Sequence, residues 1–202
     1  MSDRYTLVSA DCHAGADLFT YKDYLESSHH ADFDAWAADF NNPWEDLTDE
    51  SKIRNWDNEV RQRQLEADGL AGEVVFPNTI PPFFPSGLLV SGLPRTAEEL
   101  DRRWAGLRAH NRWLAEWCDD LPGRRAGLAQ VFPNDVEASV AEIHWAAEHG
   151  IKGILFPAIP PEADVPKLWT DAYDPIYRAC EETGLTVNQH GGAGVPDYST
   201  AT

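Results

Sequence analysis

The 202-residue chain has little cysteine, little lysine and no long apolar run. Its three cysteines, Cys12, Cys118 and Cys180, are odd in number and widely spaced, with no C-x-x-C pair. That pattern argues against a disulfide framework or a zinc knuckle and fits buried thiols in a reducing compartment. No segment approaches the roughly 20 apolar residues of a membrane helix. The N-terminal MSDRYTLVSADCH lacks a cationic flank followed by a long apolar core, so no signal peptide is expected and the cytoplasm is the expected location. Neither GxGxxG nor GxxxxGK occurs, which speaks against nucleotide binding. No G-x-S-x-G elbow occurs either, which disfavours a serine hydrolase. There is no fixed-period repeat and no low-complexity segment.

Positive charge is also scarce. Sixteen Lys and Arg stand against 34 Asp and Glu, for a net charge of −18. Phosphate-rich partners would be repelled, which excludes nucleic acid and anionic membrane surfaces. The acidic residues are spread over helices and loops rather than gathered in a tail, the pattern of a solvated face. What the chain does hold is apolar and aromatic: 43% hydrophobic residues, with 8 Trp, 8 Phe and 6 Tyr. It is therefore a packed protein, of a length suited to one domain or at most two small ones.

Five short apolar runs, at 5–10, 73–77, 126–132, 151–157 and 185–189, are continuous rather than alternating. Such runs mark strands covered on both faces, as in a parallel sheet between helices. Helical patterns alternate with them. Residues 58–68 stop at Gly69, and 96–121 open on a Thr96/Glu99 capping box and run to Pro122-Gly123. Asn134-Asp135 caps 136–149, whose Val140, Ile143, Ala147 stripe is expected on the sheet, with Gly150 after it. Pro175 opens 176–183, which ends at Gly184. Strand and helix alternate throughout, the rhythm of an α/β protein. Residues 15–57 are too long for a βα connection and carry Phe19, Tyr21, Tyr24, Phe33, Trp36, Phe40 and Trp44. They are expected to form a helical lid, and 78–95 a second long loop. Residues 198–202 look like a frayed or truncated end.

Asp11 and His13 lie at the end of the first strand, two apart and so on one face, with Cys12 on the other. A carboxylate beside a neutral imidazole is half of a site for Zn²⁺ or a similar ion. D-x-H alone specifies little. His190, however, follows the fifth strand, and in a parallel sheet all strand C-termini lie at the ligand-binding edge. Residues 177 positions apart in sequence, His13 and His190, are thereby brought to one edge. Phe76, Asn78, Phe132 and Phe156 at strand C-termini, with Asn188, are candidate pocket wall, though Phe there serves equally as packing. His29-His30 reads as a solvated pair, and His144 and His149 as surface residues. His110 and Asn111 fall in a helix whose Trp113, Leu114 and Trp117 read as core.

The motifs VSADCHAG, RQRQLEADGLAGEVVFPN, HNRWLAEWC, RRAGLAQVFP, AEIHWAAEHGIKGILFPA and YDPIYRACEETGLTVNQHGG together resemble the amidohydrolase-related metal-dependent hydrolases. That superfamily also holds nonoxidative decarboxylases acting on aminocarboxymuconate semialdehyde and γ-resorcylate. The resemblance covers nearly the whole chain and implies a TIM-type (β/α)8 barrel, of which about five βα units are present, with one metal ion at its C-terminal face. It places Asp11 and His13 at the family's first-strand ligand pair and His190 at its fifth-strand histidine. Many members have His at the first of these positions, and Asp here makes a harder, more anionic half-site. The metal implied is zinc, with manganese as the alternative. The family's proton-transfer residues, an Asp after the last strand and often a His after the sixth, would lie beyond residue 202. Five units cannot close an eight-stranded barrel. The chain is therefore expected to be a fragment of a longer product, or to be completed by another chain.

These residues imply a metal-dependent hydrolase acting on the carbonyl carbon of a small, cyclic or aromatic amide, ester or lactone. The alternative is a nonoxidative decarboxylase with the same ligands, and a second is a non-catalytic, partner-binding remnant. The expected partner is a small molecule, with a homo-oligomer left open.

Overall fold

The computed structural model describes residues 5–42, 48–77, 81–84, 93–157 and 164–190. Five strands, β1 (Leu7–Ala14), β2 (Leu70–Pro77), β3 (Arg125–Gln130), β4 (Gly153–Leu155) and β5 (Thr186–Asn188), form one sheet in the order of the chain. Every neighbouring pair is parallel. This is the expected α/β arrangement of successive βα units.

Of the helices α1 (His30–Asp39), α2 (Asn58–Ala67), α3 (Ala97–Asp119), α4 (Val136–Glu148) and α5 (Asp174–Thr183), the middle three begin where the sequence supplies side-chain acceptors. Asp57, Thr96 and Asp135 accept from the backbone N–H three residues on, satisfying donors that a helix start leaves open. At the Thr96 cap Glu99 answers by accepting from the Arg95 N–H, one residue before the position an ideal capping box would use. Gly184 ends α5 with φ 73, a left-handed conformation that any side chain would strain, and β5 follows directly.

Two element limits and one buried stripe are among the differences from the sequence reading. β1 runs to Ala14 rather than residue 10, because its polar end pairs with β2 through Cys12–Val75, His13–Phe76 and Ala14–Pro77. α5 starts at Asp174, one residue ahead of its proline. On α4 the buried residues are Ser139, Glu142, Ile143 and Ala146, so the inward stripe is rotated from Val140 and Ala147. The rotation is held by polar bonds: the Ser139 hydroxyl donates to the Phe132 carbonyl at 2.7 Å, and Glu142 accepts from Asn111 at 2.8 Å.

Burial centres on the layer between sheet and helices, with Leu107, Leu114, Ile143, Ile151, Ile154 and Ile176 at its middle. A buried ion cluster lies at the foot of β2 and β3. Glu73 accepts from Arg61 Nε at 2.9 Å and Nη2 at 2.6 Å, and Arg125 Nε stands 3.4 Å from its other oxygen. The Arg125 guanidinium lies 3.3 Å from the centre of the Trp117 ring. The described part of 15–57 forms short 3-10 turns and α1, and it is docked into this core rather than standing off it: Tyr21 and Phe33 are fully buried. Trp36 Nε1 donates to the Phe84 carbonyl at 3.0 Å, joining α1 to the segment after β2.

Candidate metal centre

β1 alternates its side chains across the sheet. Cys12 faces Glu73 and Arg61 on the helix side, where burial pushes its thiol pKa up. Asp11 and His13 face the other way. Between Ser9 and Cys12 the ladder with β2 shifts register, and such a bulge re-aims the side chains beyond it.

His190, two residues past β5, comes to the same place. Its Nε2 lies 2.9 Å from Asp11 Oδ1, and His13 Nε2 lies 3.6 Å from that oxygen. One donor atom from each of Asp11, His13 and His190 lies within 4.8 Å of the other two. In a flat sheet the first and fifth strands would stand about 19 Å apart, four spacings of ~4.8 Å. Their side chains touch because the sheet curls, as the staves of a barrel do.

The donor set suits a divalent cation. Ligands about 2.1 Å from one ion lie roughly 3.0 Å apart at octahedral corners and 3.4 Å apart at tetrahedral ones. The Asp11 contacts, at 2.9 and 3.6 Å, bracket those separations. The side chains of His13 and His190 are about one-third exposed and that of Asp11 is 71% exposed, so solvent and solutes reach the donors. A cavity of about 360 Å³ lies between β1 and α2, on the side of Cys12, Arg61 and Leu65, with Asp11 and His13 at its edge.

Phe76 backs the site. Its ring stands 5.9 Å edge-on from His13 and 4.7 Å from His190, and the residue is buried. Asn188 is tied into the sheet, donating to the Ile154 and Thr186 carbonyls at 3.3 and 3.2 Å. Phe156 is 1% exposed and packs on Tyr173 and Tyr177, which makes it core and not pocket wall. Being next to the end of β4, it alternates to the helix face. Asn78 lies outside the described residues. Phe132 is buried between Phe84 and Trp104.

Among the other histidines, His144 and His149 are exposed, as expected. His30 is half-buried, with Nε2 3.1 Å from the Leu25 carbonyl oxygen. His110 and Asn111 are fully buried but are not plain core. Asn111 brackets the end of β3, donating to the Gln130 carbonyl at 3.0 Å and accepting from its N–H at 2.9 Å. His110 Nδ1 lies 2.8 Å from the Tyr21 hydroxyl. The sequence signal for both was a polar pair inside an otherwise aromatic helix face.

Residues 10–202 match the family model described as amidohydrolase. No curated protein matches the sequence significantly. Among solved structures, a 5-carboxyvanillate decarboxylase from Novosphingobium aromaticivorans, holding manganese and 3-methoxy-4-hydroxy-5-nitrobenzoic acid, is 26% identical with a TM-score of 0.61. The similarity covers 96% of this chain and 53% of that one. An amidohydrolase from Mycobacterium avium subsp. paratuberculosis has a TM-score of 0.64 at 15% identity, over 95% of this chain and 60% of that one. A dihydroxybenzoic acid decarboxylase from Polaromonas, with manganese and 2-nitroresorcinol, has a TM-score of 0.58 at 14% identity, over 98% and 53%. The last two show the fold alone. The chain spans little more than half the length of these structures.

Proposed function

The chain belongs to the amidohydrolase family, and from that membership we propose that Asp11, His13 and His190 hold one divalent metal ion in a nonoxidative decarboxylase of aromatic carboxylic acids. The observation that carries the reading is the convergence of the three donors from the two end strands of the sheet. Decarboxylation is put ahead of hydrolysis because the 26%-identical structure is a decarboxylase with an aromatic acid bound. Manganese is put ahead of zinc, reversing the order taken from the resemblance: that structure holds manganese, and Asp11 supplies a hard oxygen donor.

A bound divalent ion supplies positive charge that attracts a substrate carboxylate and a neighbouring oxygen. The chain's own residues set the rest of the site. Asp11 offers a carboxylate oxygen, and the imidazoles of His13 and His190 offer nitrogens at its sides. Phe76 keeps water from behind both rings and restrains their tilt. In the overall reaction the bond from ring carbon to carboxyl carbon breaks, CO₂ leaves, its electron pair stays on the ring carbon, and a proton takes the vacated place.

The protein incubated with MnCl₂ and dialysed should retain about one equivalent of Mn²⁺, lost in His13→Ala and in His190→Ala. Offered hydroxybenzoic acids, the Mn²⁺-loaded protein should release CO₂. Hydrolysis of amides or lactones without CO₂ release would reverse the reaction assignment, and retention of Mn²⁺ by both variants would remove the centre.

A further inference from the structure

The geometry points to Tyr21 and His110 as positioning residues that hold the β1 half of the metal centre, an assignment that rests on the metal-site reading above. β1 needs such an anchor. Its ladder with β2 shifts register twice, between Leu7 and Val8 and again between Ser9 and Cys12, just before the donor pair. On its other side no described strand pairs with it. His13 is in register with Phe76, but Asp11 falls in the shifted stretch, so the backbone that leaves the strand must add constraint there.

Two hydrogen bonds do so, within three residues of His13. The Gly15 N–H donates to the Asn55 carbonyl at 3.2 Å, tying the exit of β1 to the turn before α2. The Ala16 N–H donates to the Tyr21 hydroxyl oxygen at 3.1 Å. That hydroxyl in turn lies 2.8 Å from His110 Nδ1, in the middle of α3. Ala14, Ala16, Tyr21 and His110 are all fully buried, so neither bond competes with water. The rings of Tyr21 and His110 both pack on Trp113, at 6.3 and 5.8 Å, which fixes their planes.

Ala16 gives its proton to the Tyr21 oxygen, and the Tyr21 hydroxyl and His110 Nδ1 share a second bond, in which Tyr21 donates when His110 carries its proton on Nε2. No described residue bonds to Nε2, so Nδ1 is the ring atom through which His110 holds Tyr21. Burial lowers the His110 pKa to about 3, which keeps the ring neutral over the range in which metal ligands are competent. An apolar side chain would fill the same space and remove the bond that ties Tyr21 to α3.

The test is Mn²⁺ affinity by calorimetry, with amide hydrogen exchange at Ala16, in wild type, Tyr21→Phe, His110→Leu and His110→Asn. Partners that orient metal ligands from behind typically cost 10–100-fold in affinity when removed. Tyr21→Phe and His110→Leu should weaken Mn²⁺ binding about tenfold and speed exchange at Ala16. His110→Asn, whose amide oxygen falls near the Nδ1 position, should restore both. Wild-type binding with unchanged affinity in Tyr21→Phe overturns the positioning role and leaves the metal centre standing. Equal losses in His110→Asn and His110→Leu also overturn it, because they would reflect packing alone. A wild-type protein that binds no Mn²⁺ overturns the metal reading and this one with it, whatever Ala16 does.

Discussion

At the scale of single residues, His110 carries a consequence for acid stability. Burial holds its pKa near 3, below the 6.5 of a free imidazole, so the folded chain stays unprotonated where the unfolded chain takes up a proton. The unfolded state then binds more protons, and stability falls as pH drops from about 6.5 toward 3, by roughly 1.4 kcal/mol per unit from this group. Above about 6.5 it contributes no slope. Between pH 7 and pH 5 the wild type should lose about 2 kcal/mol more than His110→Asn, read from urea midpoints at the two pH values. The same residue shows where a sequence stops being legible. Asp11, His13 and His190 could be brought to one edge from strand order alone, since topology fixes where strand ends lie. The partners of His110 and Asn111 could not. Tyr21 is 89 positions from His110, and Gln130 is 19 from Asn111 and bonds through its backbone, which carries no residue-type signal. Phe156 was ambiguous for a different reason. At a strand end one step of register decides between pocket and core, and β4 is only three residues long.

At the scale of elements, α3 owes its position to a glycine. Gly106 lies in the middle of the helix, where alanine would ordinarily gain about 1 kcal/mol. Here a Cβ would sit 2.1 Å from the Pro82 carbonyl oxygen, inside any allowed contact. The segment cannot easily retreat: the Phe84 ring stacks on Phe132 at 6.1 Å, its carbonyl is held by Trp36, and Phe83 already has φ 70. Gly106→Ala should therefore destabilise the protein, by about 1–3 kcal/mol in chemical denaturation, reversing the sign expected from helix propensity. The helices themselves were legible because their caps are local, an Asp or Thr three residues before the N–H it accepts from. β1 was undercounted because its last residues are polar and its pairing to β2 is a long-range fact.

At the scale of the whole molecule, the donors close the sheet across its widest span. Anything that binds the folded state alone stabilises it by mass action, about 2.7 kcal/mol at a hundredfold excess over Kd. Saturating MnCl₂ should raise the melting temperature of the wild type and leave that of His13→Ala unchanged, with EDTA reversing the shift. Differential scanning calorimetry at matched ionic strength reads both.

The meeting of Asp11 and His190 also has a meaning for the unfolded chain. They are 179 positions apart, so a bridge between them closes the chain from β1 to beyond β5 into one ring. By the chain-entropy estimate made for covalent cross-links, a ring of that size forfeits on the order of 5 kcal/mol of disorder. An ion seated there would join the first and fifth strands of the sheet, a clasp as much as a reagent.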